Sequence, residues 1–351
     1  MDKIDDLAQE FHLVRANRIQ GTNLRLFEYD YDLTWVAFFM NAQGKIYGRY
    51  GGRDAKSAEG RLSLTGLRFA MSSALEMHRN PPPTLKAISA TTQPLLAESY
   101  FGGKVQGCIH CHNIYEAKWR TPGFKRDELW IYPLPDNVGI ILDVDQGNKV
   151  RSVVADSPAA KVGIKTGDIV ESINGIPVHS FADAQYGLHK VPAKGPVPIT
   201  WMPAKPPTTM VVATKAGAPS AFVLNPDGKA MSAKLEVADG WRKTNLTWRP
   251  SMLDILPTSV FYGDDLPAAE KKALGLAETR LAYRQDKTVN IAAKKIGVQA
   301  DDIYIGINGE PLEMPGLEFL AYIRKNFFKG DRLVLNIIRN GKPLDLKVQL
   351  P

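Results

Sequence analysis

Cysteine is nearly absent from this chain: 351 residues hold two, Cys108 and Cys111. Two are too few for a disulfide framework. No apolar run reaches the roughly 18 residues that a membrane span needs, so no transmembrane segment is predicted. The first residues, Met1-Asp2-Lys3-Ile4-Asp5-Asp6, are acidic and lack the apolar core of a secretory signal peptide. Net charge is +7, yet Lys and Arg never form a run of five, which argues against a nucleic-acid partner. A G-x-S-x-G elbow, an H-E-x-x-H helix, and Walker or dinucleotide glycine patterns are all missing. These absences argue against a protease and leave no catalytic residue to assign.

The length suggests two or three domains, and 44% hydrophobic with 23% charged residues describes a folded, soluble chain. Punctuation by Pro and Gly divides it into residues 1–90, a connector at 91–136, a module at 137–240 and a second at 241–351. The connector holds Cys108-Ile109-His110-Cys111-His112. C-x-x-C-H is the sequence form of c-type haem attachment, and C-x-x-C that of a redox dithiol. In the haem c reading, Cys108 and Cys111 form thioethers and His112 binds iron. Met202, Met210, Met231, His78 and His179 are candidates for the opposite ligand. A second reading is a redox or metal-binding dithiol, with His110 as an alternative metal ligand. A third is a pair of structural cysteines with two solvated histidines. Haem attachment of this kind occurs outside the cytoplasm, so the motif points to a periplasmic or other extracytoplasmic location.

Residues 1–90 read as a short helix, a strand over Leu24–Tyr31, an apolar strand over Leu33–Met40, a turn at Asn41-Ala42-Gln43-Gly44, a return strand over Lys45–Tyr50, and a helix from Ser63 to Met77. Phe38-Phe39-Met40-Asn41-Ala42-Gln43-Gly44-Lys45-Ile46-Tyr47-Gly48-Arg49-Tyr50 resembles the central hairpin of thioredoxin-like proteins. The resemblance implies an incomplete thioredoxin-like domain. The first strand and the helix that carries that family's dithiol are missing, and Asp32-Leu33-Thr34 lacks its proline.

The module at 137–240 carries Ser157-Pro158-Ala159-Ala160-Lys161-Val162-Gly163-Ile164-Lys165-Thr166-Gly167-Asp168, then Ile169–Ile173 and Asn174-Gly175. Ser157 is placed to cap a short helix with Pro158 in its first turn, and Gly163 to end it. Gly167-Asp168 turns the chain into a strand, and Asn174-Gly175 makes a hairpin turn. Ser180–His189 reads as a longer helix, and Val197–Met202, Ala221–Leu224 and Lys234–Val237 as strands. The stretch resembles the bacterial PDZ domain. That resemblance implies binding of a peptide or protein C-terminus as an added strand. It matches Val138-Gly139-Ile140 to the family's carboxylate loop and places the groove beside the helix from Phe181 to His189.

The chain then repeats itself. Gly297–Pro311 aligns with Gly163–Pro177 at a constant offset of 134 residues, which predicts two copies of one fold. Leu274-Gly275-Leu276 stands where Val138-Gly139-Ile140 stands, and Asp301 replaces Gly167. Between the copies, Trp241-Arg242 and Trp248-Arg249 suggest stacking that clamps the domains. The expectation is an α+β multidomain chain, an incomplete thioredoxin-like domain followed by two PDZ-like β-rich modules. Its main functional reading is an extracytoplasmic redox-associated protein with a C-x-x-C-H site. The alternative is a non-catalytic PDZ adaptor whose Cys/His motif is structural or metal-binding. The haem reading predicts a Soret band from protein made with the haem-attachment machinery, lost in His112→Ala. Two titratable thiols with no Soret band would exclude it.

Overall fold

A computed structural model of the chain describes residues 4–81, 93–102, 108–121, 124–204, 229–252, 255–257 and 260–351. Met210 and the strand expected over Ala221–Leu224 lie outside them. The chain divides into two compact units, Met1–Thr244 and Asn245–Pro351.

In the first unit, α1 (Asp5–Ala8) precedes an antiparallel hairpin of β1 (Ala37–Met40) and β2 (Ile46–Tyr50). Asn41 closes its turn, its side-chain oxygen accepting the amides of Gln43 and Lys45 at 3.1 and 2.9 Å. Helix α2 (Leu64–Arg79) begins at Ser63, whose hydroxyl accepts the Gly66 amide at 2.9 Å. Ala70, Met71, Ala74 and Met77 recur at helical spacing and pack against Phe39, Tyr47 and Tyr50. The strand expected over Leu24–Tyr31 does not form. The Asn23 carbonyl accepts the amides of Leu26 and Phe27, its side chain accepts that of Arg25, and the segment rolls into turns. The strand expected from Leu33 starts only at Ala37, because the Leu33 amide is spent in a turn on the Asp30 carbonyl. Among the described residues this sheet therefore has two strands, and the expected thioredoxin-like sheet is not built.

Helix α3 (Asn113–Trp119) follows the cysteine motif. Strands β3 (Ile140–Leu142) and β4 (Val150–Val153) pair with each other. Then come α4 (Pro158–Lys161), β5 (Ile169–Ile173), β6 (Ile176–Pro177), α5 (Phe181–His189), β7 (Val197–Met202) and β8 (Met231–Leu235), with sheet order β6-β5-β7-β8. The local signals act as their chemistry requires. Ser157 caps α4 by accepting the Ala160 amide at 3.2 Å, and Gly163 and Gly167 take φ of +88° and +92°. The core gathers Val138, Ile140, Leu142, Val170, Ile173, Leu188, Ile199 and Trp201. Each such aliphatic side chain contributes about 1.5–3 kcal/mol by burial.

The second unit contains β9 (Gly263–Asp265), α6 (Ala268–Ala273), β10 (Tyr283–Gln285), α7 (Ile291–Lys295), β11 (Ile303–Ile307), β12 (Glu310–Pro311), α8 (Gly316–Asn326), β13 (Arg332–Arg339) and β14 (Lys342–Gln349). Its sheet runs β14-β13-β11-β10-β9, with β12 on β11. The repeat extends to backbone detail. Strand β11 stands 134 residues after β5, and β12 the same distance after β6. Gly163 and Gly297 have φ of +88° and +89°, and Asn174 and Asn308 of +51° and +55°. Asp168 and Asp302 accept the amides of Lys165 and Gln299, each at 2.8 Å. Asp301 adopts the left-handed conformation of the glycine it replaces, φ +63°.

One expected equivalence is corrected. Leu274-Gly275-Leu276 is a helix end, with Gly275 at φ +70° and the Leu276 amide on the Lys271 carbonyl. Strand β9 instead pairs with β10, as β3 pairs with β4. The two Trp-Arg pairs do stack, Arg242 over Trp241 at 5.3 Å and Arg249 over Trp248 at 4.6 Å, each within its own unit.

Asp302 is fully buried and bidentate to Arg339, with both contacts at 2.7 Å. Asp302→Ala leaves that guanidinium without its carboxylate and is expected to cost roughly 3 kcal/mol. Hydrogen exchange of the β11 and β13 amides should quicken by about a hundredfold. Unchanged exchange would show that the pair contributes little.

Candidate functional site

Two candidate sites come from the sequence, a peptide groove beside α5 and the cysteine motif before α3. At the groove, Val138 and Ile140 are core residues with no exposed surface to offer a ligand. Gly139 lies between them at φ +88°. A Cβ there would sit 2.0 Å from the Ser157 hydroxyl oxygen, so only glycine fits. Its amide donates to the Asp136 carbonyl at 3.0 Å, and its carbonyl accepts from Val154 at 2.9 Å. Both of its backbone groups are therefore already engaged. Among the described residues β3 pairs with β4 alone, so its outer edge carries no strand.

The helix side of the groove is covered by the chain's own N-terminal hairpin. Ser180 caps α5 by accepting the Asp183 amide at 3.1 Å, and its hydroxyl donates to the Arg49 carbonyl. Asp183, which has almost no exposed surface, accepts the Arg49 amide at 2.8 Å and the His179 amide at 3.2 Å. One backbone unit of β2 is thus gripped at both its N–H and its C=O. The Arg49 guanidinium lies 3.5 Å over the Tyr186 ring, and its Nε donates to the Glu28 carbonyl at 3.1 Å. Next along, Arg61 stacks 4.7 Å over Phe181 and pairs with Asp54 and Asp136, each at 2.9 Å. Gly52 lets the loop pass, because a Cβ there would stand 2.8 Å from Arg61 and 2.9 Å from Phe181. Ser63 then reaches Asp145 at 2.7 Å beyond β3. The space left between Tyr50, Arg61, Leu142 and Phe181 is only about 10 Å³. Phe181 is thus beneath Arg61, while His189, at the other end of α5, stacks on Tyr132 with ring centres 4.1 Å apart.

At the cysteine motif both sulfurs are free thiols, Cys108 exposed and Cys111 half-buried. The Tyr29 hydroxyl donates to Cys111 Sγ at 3.1 Å. Burial, and then the neighbouring Cys111, push the Tyr29 phenol well above its ordinary range. His112 Nδ1 lies 2.8 Å from Glu116 one turn along α3, and the His110 ring is stacked on it at 5.8 Å. Asn113 accepts the His110 amide at 2.9 Å, which holds the motif at the helix start. The haem reading would place thioethers at Cys108 and Cys111 and iron at His112, whose Nδ1 is engaged with Glu116. The cavity beside α3 has none of Cys108, Cys111 or His112 in its wall. Nor do three His, Cys, Asp or Glu side chains meet as a metal site among the described residues. Of the five candidates for the opposite ligand, His78 bonds the Tyr47 hydroxyl at 2.9 Å and His179 is half-buried just before α5.

Comparison with known proteins bears on the groove. The PDZ domain family matches residues 149–201. The chain contains a PDZ domain. The match runs from the start of β4 to near the end of β7 and includes the α5 wall of the groove. The periplasmic serine endoprotease DegP of Salmonella typhimurium is 29% identical over 218 residues, 59% of this chain and 35% of that protein. The periplasmic pH-dependent serine endoprotease DegQ of Escherichia coli is 50% identical over 42 residues, 12% of this chain and 9% of that protein. A solved structure of the HtrA-type protease AlgW with decapeptide shares 18% identity over 27% of this chain and 29% of its own, with a TM-score of 0.21. The chain spans about a third of the length of DegP.

Arg49, Arg61 and Tyr132 carried no sequence signal. Asp183 carried one, since Ser180-x-x-Asp183 has the spacing of a capping box. Burial raises the Asp183 carboxyl to about 6 against the opposing pull of Arg49 and the amides it accepts. The folded chain then binds more protons than the unfolded chain between about pH 4 and pH 6. This contribution to stability is present in acid and is lost as pH rises through that window, by about 3 kcal/mol in all. Urea unfolding followed by tryptophan emission should show the loss as the difference between wild type and Asp183→Asn. A difference that does not change with pH would refute the assignment.

Proposed function

We propose that this chain is a non-catalytic PDZ adaptor that binds an extended segment of a protein partner, and that it works outside the cytoplasm. The observation that carries the reading is the outer edge of β3, which no strand pairs among the described residues, beside α5 of the PDZ domain. Such an edge takes a peptide by strand addition, with backbone hydrogen bonds supplying affinity and neighbouring side chains specificity. The periplasmic location named for DegP and DegQ supports the placement. Nothing in the reading requires chemistry at Cys108 or Cys111.

The groove in this state is covered. Arg61 holds the space over Phe181, and residues 50–63 cross between α5 and the turn after β3. A peptide therefore competes with the chain's own loop, and its apparent affinity is reduced by the fraction of molecules in which the loop is away. Removing Arg61 removes two ion pairs and one ring contact that favour the covered state. Arg61→Ala is expected to tighten binding of peptides selected from a C-terminal library by about tenfold, read by fluorescence anisotropy. If neither wild type nor Arg61→Ala binds any peptide in the library, the adaptor reading fails. If both bind equally, the loop does not cover the groove in solution.

A further inference from the structure

A second cavity lies away from the groove, where α3 faces the far end of α5. Its volume is about 690 Å³, within the range of small-molecule sites. Its walls come from the turn segment at Leu24–Tyr31, from α3, from residues 124–132 and from the C-terminal end of α5. Flat rings dominate: Tyr31, Tyr115, Trp119, Trp130 and Tyr132 all face it. These rings are held in place. The Tyr115 hydroxyl accepts the Tyr31 amide at 3.2 Å, Trp119 stacks on Tyr115 at 5.4 Å, and Trp130 Nε1 donates to the Thr244 carbonyl at 3.3 Å.

Two cations in this wall lack an anion. Lys118 on α3 is half-buried, and its ammonium stands 5.4–5.8 Å from the ring centres of Tyr31, Tyr100 and Tyr115. Among the described residues it has no hydrogen-bond acceptor and no carboxylate within ion-pair distance. Arg242 donates one Nη to the Val191 carbonyl, but its buried Nε meets no acceptor among the described residues. Glu28, half-buried in the same wall, is already in use: it accepts Lys190 at 2.6 and 2.7 Å and the Tyr186 hydroxyl at 3.3 Å, and lies 3.8 Å from His189 Nε2. The other acids in the wall, Asp127 and Glu128, are exposed. Ring faces attract a cation, but by less than a desolvated ammonium loses on leaving water. Burial accordingly lowers the pKa of Lys118, and that of Arg242 as well.

We infer that this cavity is a binding site for a small planar aromatic molecule bearing a carboxylate or similar anion. Its ring system lies among Tyr31, Tyr115, Trp119 and Tyr132, and its anion meets the ammonium of Lys118. The site is separate from the peptide groove: it uses the His189 end of α5, whereas the groove uses the Phe181 end. It also does not need the cysteines, which are not in its wall.

The probe is 2-naphthoate, titrated calorimetrically into the full chain, with 2-naphthylmethylammonium as its charge-reversed counterpart. The anion is expected to bind saturably and at least about tenfold tighter than the cation. Lys118→Met keeps the length of the side chain and removes the charge. It should weaken 2-naphthoate by about tenfold and abolish the preference for anion over cation. Hydrogen exchange of the wild-type chain should show protection by 2-naphthoate within α3 and residues 124–132, a readout that does not depend on the variant folding. Absence of saturable binding, equal binding of the two probes, or protection confined to other segments would each overturn the assignment.

Discussion

One buried carboxylate organises the first unit. Asp183 sits in the first turn of α5 with almost no access to water, and it holds the amide of Arg49 while Ser180 holds that residue's carbonyl. A helix at the side of a small sheet ordinarily keeps a polar stripe in solvent. Here that stripe is buried too, with Asp183 and Gln185 each 1% exposed. Asp183 turns to the β1–β2 hairpin, and Gln185 donates to the Tyr132 carbonyl at 3.0 Å. Burying an ionised carboxylate is costly, so the contact persists only because backbone donors and the Arg49 charge surround it. The hairpin is thereby part of the PDZ domain's own packing.

From that clasp the two ends of α5 acquire different roles. At the N-terminal end, the chain leaving β2 runs over Phe181 and delivers Arg61 and Tyr50 to the place where an added strand would lie. At the C-terminal end, Lys190 fixes Glu28 and His189 stacks on Tyr132, which brings the 24–31 turn and residues 124–132 around α3. The first arrangement closes a groove and the second opens a cavity. Both follow from where the hairpin is fastened.

The second unit shows how far the sequence repeat reaches. Its carboxylate Asp302 repeats the turn contact of Asp168, but its other oxygen takes Arg339, where Asp168 takes the amide of Ala204. The conserved part is local: a side chain bonding an amide three residues earlier needs only the spacing. The divergent part depends on what the sheet places alongside. The same holds for Leu274-Gly275-Leu276, where an apolar-Gly-apolar triplet ends a helix instead of leading into an edge strand.

By itself the sequence determined the features that rest on contacts a few residues apart. These are the cap at Ser157, the helix starts at Ser63 and Ser180, the turns at Gly163, Gly167 and Asn174, the strand–turn–strand order of the PDZ domain, and its repetition at a fixed offset. Spacing alone specifies such bonds, so they can be read directly. The tertiary structure decided the rest. The apolar and aromatic residues of 24–31 looked like a strand but roll into turns, because beyond the bridge of Asn23 to Leu96 the Asn23 carbonyl takes the amides of Leu26 and Phe27 and its side chain that of Arg25. The C-x-x-C-H motif reads as a cofactor signature, yet its histidine bonds along its own helix and its sulfurs stand outside the aromatic cavity. Arg49, Arg61 and Lys118 have no motif. Their roles come from packing that brings Arg49 to Asp183, Arg61 to Phe181 and Lys118 to Tyr31, and no local pattern encodes those pairings.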